Sequence, residues 1–362
     1  FYGHKDKSGN LIPGTNATSD EMIAISEAFA EVGHGTMEII SDHLDKPEEL
    51  AWIEDIARRT GRPITTLVTP DIGEGIWNLA ERLNPEGFNI RPQVGARLAS
   101  VLMTLEGTIN PMRQFPSYSE IKHLSFDEQR KMLLDTKFRA KILADSPKIS
   151  RDVDTNRMIS TWDKMYALPS DLSYEPGHDE SIAGIASAQG IDVREALMDI
   201  MADATPILFL FGKYEGSVQP QFDFIERQHS VFGLSDGGAH VGVLCDASVP
   251  TYMLAYATRD RTKGPRLSIE FVVHKMTQDT ANLYGLTDRG VIAPGYKADL
   301  NIIDYDNLSL LHPEMIYDLP AGGRRLIQKA TGYAITICAG EVTYENGVHT
   351  GAMPGKLVRA GN

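Results

Sequence analysis

The sequence predicts an α/β fold with a parallel sheet, followed by a small β-rich domain. Over residues 15–95, helical patterns with capping signals alternate with short apolar strand patterns, and the connections between them are short. Such alternation is typical of βαβ units, whose right-handed crossovers produce a barrel or a doubly wound sheet. From about residue 289 the pattern changes to short strands with Gly- and Pro-containing turns, which indicates a small β domain.

The first helix, strand and helix are predicted by capping signals and apolar spacing. Thr18 and Glu21 form a capping box, and apolar residues then recur at helical spacing until Gly33. Residues 37–41 predict a short strand. Residues 47–59 predict a helix, because acids occupy its first turn and arginines its last turn.

The following segment adds two strands and then an excursion. Residues 64–69 and 89–94 predict strands, with a helix over 77–83 between them. Residues 105–155 are polar and rich in Met, with a helical pattern over 127–148. We interpret this stretch as a helical excursion that covers the sheet, in the manner of a lid.

The remaining predicted elements lead to the small domain. In order, they are a strand over 157–161, helices over 180–189 and 193–202, an apolar run over 207–211, a strand starting at 230, and helices around 252–257 and over 267–284.

Composition excludes several classes of protein. The 362 residues carry 35 Lys and Arg against 49 Asp and Glu, a net charge of −14, which argues against nucleic acid or an anionic membrane as a partner. Cys245 and Cys338 form no metal or disulfide motif, and no apolar run has the length of a membrane span. We therefore expect a cytoplasmic protein with a small-molecule ligand; self-association into a homo-oligomer is left open. The start at Phe1 reads as the interior of a longer chain.

The segment Ser235-Asp236-Gly237-Gly238 is the strongest functional signal. It follows a short apolar strand pattern and precedes His240. An acid at the carboxyl end of a buried strand is where α/β barrels keep their chemistry, and a carboxylate there can accept and return a proton. The alternative is a turn cap, since Asp-Gly is a common turn pair.

Three stretches of the chain resemble the amidohydrolase superfamily, and within it the D-aminoacylase-like branch. The first is Gly233-Leu234-Ser235-Asp236-Gly237, which is similar to the last barrel strand of the branch and its acid. The second, residues 277–304, is similar to the last barrel helix and its return into the small β domain. The third, residues 349–356, is similar to the C-terminal tail of the branch.

This resemblance implies a fold, a cofactor and a reaction. Residues 1–288 would form part of a distorted TIM-type (β/α)8 barrel, and residues 289–362 a small β-sandwich domain. One or two Zn²⁺ ions would lower the pKa of a bound water to about 7. Asp236 would be both a metal ligand and the catalytic acid–base, and the substrate would be an N-acyl-D-amino acid.

The chain departs from the family pattern at the metal. The sequence has no His-x-His pair, and both cysteines lie too late to replace the early metal-ligand Cys of the family. We count about six candidate barrel strands, where a closed barrel has eight, and expect the missing strands and ligands to precede Phe1. The middle strands also end without His. Either the site holds one metal ion rather than two, or other residues coordinate the second ion, with His43 and His240 as the candidates.

A second departure concerns how the substrate is held. The branch holds the substrate carboxylate with an Arg after the catalytic acid, whereas residues 237–250 contain no Arg or Lys. Arg97, Arg259 and Arg261 are the candidate replacements, through bidentate pairing, unless they form surface salt bridges. His240 is a candidate for the same role.

The sequence therefore leaves three functions open. The first is deacylation of an N-acyl-D-amino acid. The second is hydrolysis of a cyclic amide, as in dihydroorotases and hydantoinases, which the missing Arg keeps in consideration. The third is a catalytically incomplete fragment, or a subunit that needs a partner chain.

Overall fold

The computed structural model describes residues 3–6, 9–149, 153–233, 235, 237–238 and 240–359. Within these residues, no helix combines the length and the apolar character that crossing a membrane requires.

Fifteen strands of two to six residues are described. They are β1 (Met37–Ile39), β2 (Ile64–Val68), β3 (Ile90–Gly95), β4 (Ser100–Met103), β5 (Met165–Ala167), β6 (Ile207–Leu210), β7 (Val231–Gly233), β8 (Leu300–Ile303), β9 (Ser309–Leu310), β10 (Glu314–Leu319), β11 (Gly323–Ile327), β12 (Ala330–Thr331), β13 (Tyr333–Cys338), β14 (Glu341–Glu345) and β15 (Val348–His349).

Twelve α-helices are described, two of which continue as π-helical segments. They are α1 (Ser19–Val32), α2 (Pro47–Thr60), α3 (Glu74–Leu83), α4 (Phe126–Leu134), α5 (Thr136–Ala144), α6 (Val153–Ser160), α7 (Ile182–Gln189), α8 (Val193–Ala202), α9 (Gln219–Glu226), α10 (Val249–Tyr252), α11 (Ile269–His274) and α12 (Thr280–Leu283). The π-helical segments are Met253–Asp260, after α10, and Lys275–Asp279, between α11 and α12.

The N-terminal part forms the predicted parallel α/β layer. Strands β1, β2, β3 and β7 pair in parallel in that order. Helix α1 begins as predicted, because the Thr18 side chain accepts a hydrogen bond from the Glu21 backbone N–H, and it ends at Gly33 in the left-handed conformation. Helix α2 has Pro47 in its first turn and ends in the same way at Gly61.

One face of this sheet is covered by helices α2 and α3. Ile53 and Ile56 of α2 and Trp77 of α3 are fully buried in one apolar cluster with Ile64 of β2 and Val94 of β3. Side chains alternate between the two faces of a strand, so Glu38, Thr65 and Gln93 lie on the opposite face of the sheet. The fold thus supplies one apolar face for packing and one face with polar groups.

A second sheet corrects the expected position of the apolar run at 207–211. This run does form a strand, β6, but β6 pairs antiparallel with β4 and β5 in a separate three-stranded sheet. Helices α4, α5, α7 and α8 contribute to the apolar cluster around this sheet. A strand with both faces covered reads as a continuous apolar run, and such a run does not specify which sheet the strand joins.

The predicted strand over 157–161 is wrong, because these residues end helix α6 and begin the turn after it. The Ser160 hydroxyl donates to the Asn156 backbone oxygen four residues earlier, as it can only in a helical turn. Met158 and Ile159 are both buried, and this adjacent pair resembled a strand in the sequence. The helical pattern over 127–148 is confirmed as two helices, α4 and α5, separated at Asp135, which caps α5.

The C-terminal part consists of short antiparallel strands, as predicted. Strands β8, β13, β14 and β15 form one sheet, and the pairs β10–β11 and β9–β12 form two smaller ones. The α/β class is therefore confirmed. The closed barrel is not confirmed, because the described parallel strands number four. Of the six counted barrel strands, one is part of helix α6 and another, β6, belongs to the second sheet. The boundary at residues 288 and 289 stays a prediction.

Candidate active site

Two loops leave the parallel sheet side by side at its carboxyl edge. Strands β3 and β7 are neighbours, with Gly95 opposite Gly233, and the Ala96 backbone N–H donates to the Gly233 carbonyl at 3.4 Å. The β3 loop continues to Arg97, and the β7 loop continues through Ser235 to Asp236. In open α/β sheets, ligands bind outside the carboxyl ends of the strands. Asp236 itself lies outside the described residues, so the structure does not test its predicted roles.

A short turn, Asp246–Ser248, connects these two loops. Arg97 Nη2 donates to Asp246 Oδ1 at 2.6 Å, and Arg97 Nη1 donates to Ser248 Oγ at 3.4 Å. From the β7 loop, Ser235 Oγ donates to the Asp246 carbonyl oxygen at 3.3 Å. The residue directly before Asp236 is therefore held by the turn that also binds Arg97.

The C-terminal part also supports this turn. Ser248 Oγ donates to Gln328 Oε1 at 2.6 Å, and the Leu326 backbone N–H donates to the Val241 carbonyl oxygen at 2.7 Å. Leu326 lies in strand β11, and Gln328 directly follows this strand. The C-terminal part therefore contacts the loop that carries Asp236. This role of Gln328 could not be predicted from the sequence, because its partner Ser248 lies 80 residues away along the chain.

The predicted substrate ligand Arg97 is charged and largely buried. Its side chain is 13 % exposed and that of Asp246 is 21 % exposed. Burial alone would lower the pKa of Arg97, but Asp246, Cys245 and Tyr174 together outweigh burial and raise that pKa. Burial also raises the pKa of the nearby Cys245 thiol.

The other two candidate arginines bind groups of this chain. Arg259 pairs with Asp260 at 2.6 Å and donates to the backbone oxygens of Tyr305 and Leu308. Arg261 pairs with Glu175, and both side chains are essentially unexposed. The predicted contact between Arg259 and a substrate stays a prediction.

His240 is exposed and lies in the loop after Asp236. Its backbone has a φ of 50°, in the left-handed region, and its carbonyl oxygen accepts from the backbone N–H groups of Val243 and Leu244. The His240 ring lies beside that of His4, with a centroid separation of 6.0 Å. Its predicted roles as metal ligand and substrate contact are not tested by this arrangement.

The described residues do not form a metal site. Among them, no group of three or more His, Cys, Asp or Glu side chains is placed to hold a metal ion. This set includes His43 and His240 but not Asp236. The zinc ions that the family resemblance implies therefore lack a matching donor set within the described part of the chain.

A buried tyrosine beside Arg97 was not foreseen from the sequence. Tyr252 is 1 % exposed, and its hydroxyl has no hydrogen-bond partner among the described residues. It contacts the rings of Tyr174 and Tyr256, at centroid distances of 4.7 Å from Tyr174 to Tyr252 and 5.2 Å from Tyr252 to Tyr256. Burial raises the pKa of Tyr252, so its hydroxyl stays protonated. The spacing of Tyr252 and Tyr256 by one helical turn was the available signal.

Close packing between Gln93 and Gly233 on the polar face of the sheet leads to a prediction about stability. Gln93 Nε2 donates to Glu38 Oε1 at 3.1 Å, and a Cβ added at Gly233 would overlap the Gln93 side chain. Overpacking of this kind costs about 1–3 kcal/mol. We therefore expect Gly233→Ala to lower the free energy of unfolding by about that amount, measured by urea denaturation.

The double variant provides the control for this prediction. Adding Gln93→Ala to Gly233→Ala removes the overlapping side chain, so the loss relative to Gln93→Ala alone should fall below about 0.5 kcal/mol, as for independent sites. An equal loss in both backgrounds would contradict the proposed contact.

A protein-family model matches part of this chain. Residues 178–344, which include β7 and Asp236, match the model of the amidohydrolase family. No curated protein sequence matches the chain.

Three solved D-aminoacylase structures are similar in fold. The first, described as defining a novel subset of amidohydrolases, has a TM-score of 0.48 and a sequence identity of 15 %. The match covers 94 % of this chain and 59 % of the chain in that structure. One on the role of the binuclear metal centre has a TM-score of 0.49, with the same identity and coverage. The third, a mutant in complex with CuCl₂, has a TM-score of 0.50 and a sequence identity of 14 %. The match covers 96 % of this chain and 61 % of the chain in that structure.

At these identities the likeness bears on the fold alone. The chain spans about three fifths of the length of the D-aminoacylases it matches. At 14 % identity, the third of these structures shows a shared fold and not a shared substrate. The resemblance expected from the sequence is confirmed, since residues 178–344 of this chain match the amidohydrolase family model.

Proposed function

We propose that this protein hydrolyses a non-peptide C–N amide bond, with Asp236 as the residue that transfers the proton. One observation carries the proposal: Asp236 lies within the family match and comes three residues after the end of β7. Strand β7 ends at the carboxyl edge of the parallel sheet, where the neighbouring β3 loop contributes the buried charge of Arg97. Amidohydrolases as a class use a carboxylate to move protons between water and substrate.

In the proposed reaction, each proton has a defined origin and destination. Asp236 takes a proton from water while the water oxygen bonds to the amide carbon. Asp236 then returns that proton to the amide nitrogen as the C–N bond breaks, so an amine and a carboxylic acid are released. A carboxylate placed for both transfers contributes about 10²–10⁴-fold to the rate.

The proposed substrate is an N-acyl-D-amino acid. The family match and the D-aminoacylase-like sequence stretches support this choice. Arg97, Arg259 and His240 remain the proposed substrate contacts, and Arg97 is favoured because it is buried at the carboxyl edge. The zinc ions and the cytoplasmic location also remain proposals.

A cyclic amide is the second candidate substrate. It is favoured by the absence of Arg and Lys from residues 237–250, since a cyclic amide offers no separate carboxylate that a cation must hold. The third candidate, a chain that is catalytically incomplete without a partner, is supported by the lack of a metal site among the described residues.

A substrate panel separates these candidates. Amine release from N-acetyl-D- and N-acetyl-L-amino acids and ring opening of dihydroorotate and hydantoin are measured with the purified protein, with and without added Zn²⁺. We expect faster hydrolysis of the D-amino acid derivatives, by at least about tenfold. Preferential opening of the cyclic amides would select the second candidate, and no turnover of either class, even with Zn²⁺, would contradict the proposal.

A further inference from the structure

A small apolar cavity lies directly beside Arg97. It is bounded by the sheet β4–β6–β5, by the loops after β3 and β7, and by Pro313 and Gln328 of the C-terminal part. Most of its wall is aliphatic, and the seven leucines that line it are Leu98, Leu102, Leu168, Leu172, Leu208, Leu210 and Leu244. A wall of this composition favours a hydrocarbon chain as the occupant.

One end of the cavity is polar and offers hydrogen-bond donors. Arg97 and Tyr252 both line it. A guanidinium carries more N–H donors than the bonds to Asp246 and Ser248 use, so Arg97 can donate to a further acceptor. The Tyr252 hydroxyl is buried without a partner among the described residues, which is costly unless a ligand or water bonds to it. The polar end therefore suits a hydrogen-bond acceptor.

The charge of the cavity favours a neutral acceptor. Arg97 and Asp246 are the charged residues in its wall, and they form an ion pair with N···O 2.6 Å. An added carboxylate would leave a net negative charge in a largely buried site, which is unfavourable. A carbonyl group accepts the same hydrogen bonds without adding charge.

The size of the cavity limits the chain length. Its volume is about 40 Å³, which holds about three water molecules at the roughly 10–15 Å³ that one water occupies in such measurements. A chain of about three carbon atoms fills this space, and because the cavity is only partly enclosed, the amide end of a ligand would lie at its opening. A bulky group, or a chain of five or more carbons, does not fit without displacing the leucines.

We propose that this cavity binds the acyl part of a short aliphatic amide, with a chain of about three carbons among the leucines and the carbonyl oxygen at Arg97 and Tyr252. The inference rests on the proposed function for the amide class of the ligand. It adds the acyl preference, which neither the family match nor the sequence motifs specify. The substrate would then be an N-butanoyl derivative rather than an N-acetyl one.

Binding of butanamide to the full chain tests this proposal without requiring turnover. Leucine methyl groups are isotopically labelled, and their NMR shifts are followed during titration with acetamide, butanamide, hexanamide and butanoate. We expect butanamide to bind about tenfold more tightly than acetamide, because each buried CH₂ adds about fourfold. We also expect hexanamide and butanoate to bind more weakly than butanamide. Tighter binding of butanoate or of hexanamide would overturn the proposal.

Two variants test the contacts, and one provides a matched control. Tyr252→Phe removes the unpartnered hydroxyl and should weaken butanamide binding by about 3- to 10-fold. Leu208→Trp fills the cavity and should abolish binding, with its thermal unfolding recorded to establish that it folds. Tyr166→Phe removes the hydroxyl of another buried tyrosine, which bonds the Asp163 carbonyl and does not line the cavity, and should leave affinity unchanged. Equal affinity in wild type and Tyr252→Phe would overturn the assigned contact.

The binding experiment and the hydrolysis assay test the cavity assignment and the proposed function separately. Hydrolysis of acyl-amino acids without butanamide binding would refute the cavity assignment alone. Specific butanamide binding without hydrolysis would leave the cavity assignment standing and refute the proposed function.

Discussion

Replacing Asp236 with Asn is expected to lower the rate of amide hydrolysis by at least about 10²–10⁴-fold. The amide side chain of Asn cannot accept a proton from water, and so it cannot return one to the leaving amine. The change is nearly isosteric, so the thermal midpoint should stay close to that of the wild type. The measurement is kcat/KM for the best substrate of the panel, together with circular dichroism of both proteins.

A second acid provides the matched control for this variant. Asp127 lies in the first turn of α4, with 77 % of its side chain exposed, and Asp127→Asn makes the same chemical change far along the chain from the β7 loop. Its activity should equal that of the wild type. Full activity in Asp236→Asn, or an equal loss in Asp127→Asn, would remove Asp236 from the proposed reaction.

The largest effect on stability is expected at the buried ion pair Arg261–Glu175. Both side chains are at most 1 % exposed, with Nε···Oε2 2.9 Å. Glu175 also accepts from the Tyr256 hydroxyl at 2.6 Å and from the Val218 backbone N–H at 2.8 Å. Removing one member leaves an uncompensated charge in the interior, so Arg261→Met should lower the free energy of unfolding by about 3–5 kcal/mol.

An exposed pair of similar geometry is the control. Arg325 and Asp318 lie 2.6 Å apart at the surface of the hairpin β10–β11, with 39 % and 46 % of their side chains exposed. Arg325→Met should cost about 0–1 kcal/mol, because water already solvates both charges. Urea denaturation of both variants gives the comparison, and equal losses would contradict the importance assigned to burial.

The same pair predicts how stability depends on pH. Burial alone would raise the pKa of Glu175, but hydrogen bonds from Arg261, Tyr256 and Val218 outweigh it and hold that pKa at about 2, compared with 4.5 for an ordinary Glu. Because this pKa is lower in the folded state, the carboxylate stabilises the protein at pH values above the pKa that Glu175 has in the unfolded state. This contribution, about 3 kcal/mol, should be lost as pH falls from about 4.5 towards 2. Unfolding of Glu175→Gln across this range should lack that part of the slope.

Local signals in the sequence were sufficient for the helices and parallel strands of the N-terminal part. Thr18, Gly33 and Gly61 act through neighbours within a few residues, so their effects can be deduced without knowledge of the fold. The partner of a strand is a different kind of property. Strand β6 pairs with β4, more than 100 residues earlier. An apolar run predicts a buried strand but does not indicate which strand it pairs with.

The candidate site shows the same division between local and distant information. The Ser-Asp-Gly-Gly turn after β7 could be located from sequence, since an acid after an apolar strand is a local pattern. That Arg97 pairs with Asp246, 149 residues away, could not be foreseen. The sequence also offered Arg261 as a ligand for a substrate carboxylate, whereas in the structure it binds Glu175.

The most direct test of the central claim is the release of amine from N-butanoyl-D-leucine by the purified wild-type protein, with Asp236→Asn measured alongside. The account predicts steady hydrolysis by the wild type, faster than that of N-butanoyl-L-leucine by at least about tenfold, and at least about a 100-fold loss in the variant. Equal rates for the wild type and Asp236→Asn would contradict it.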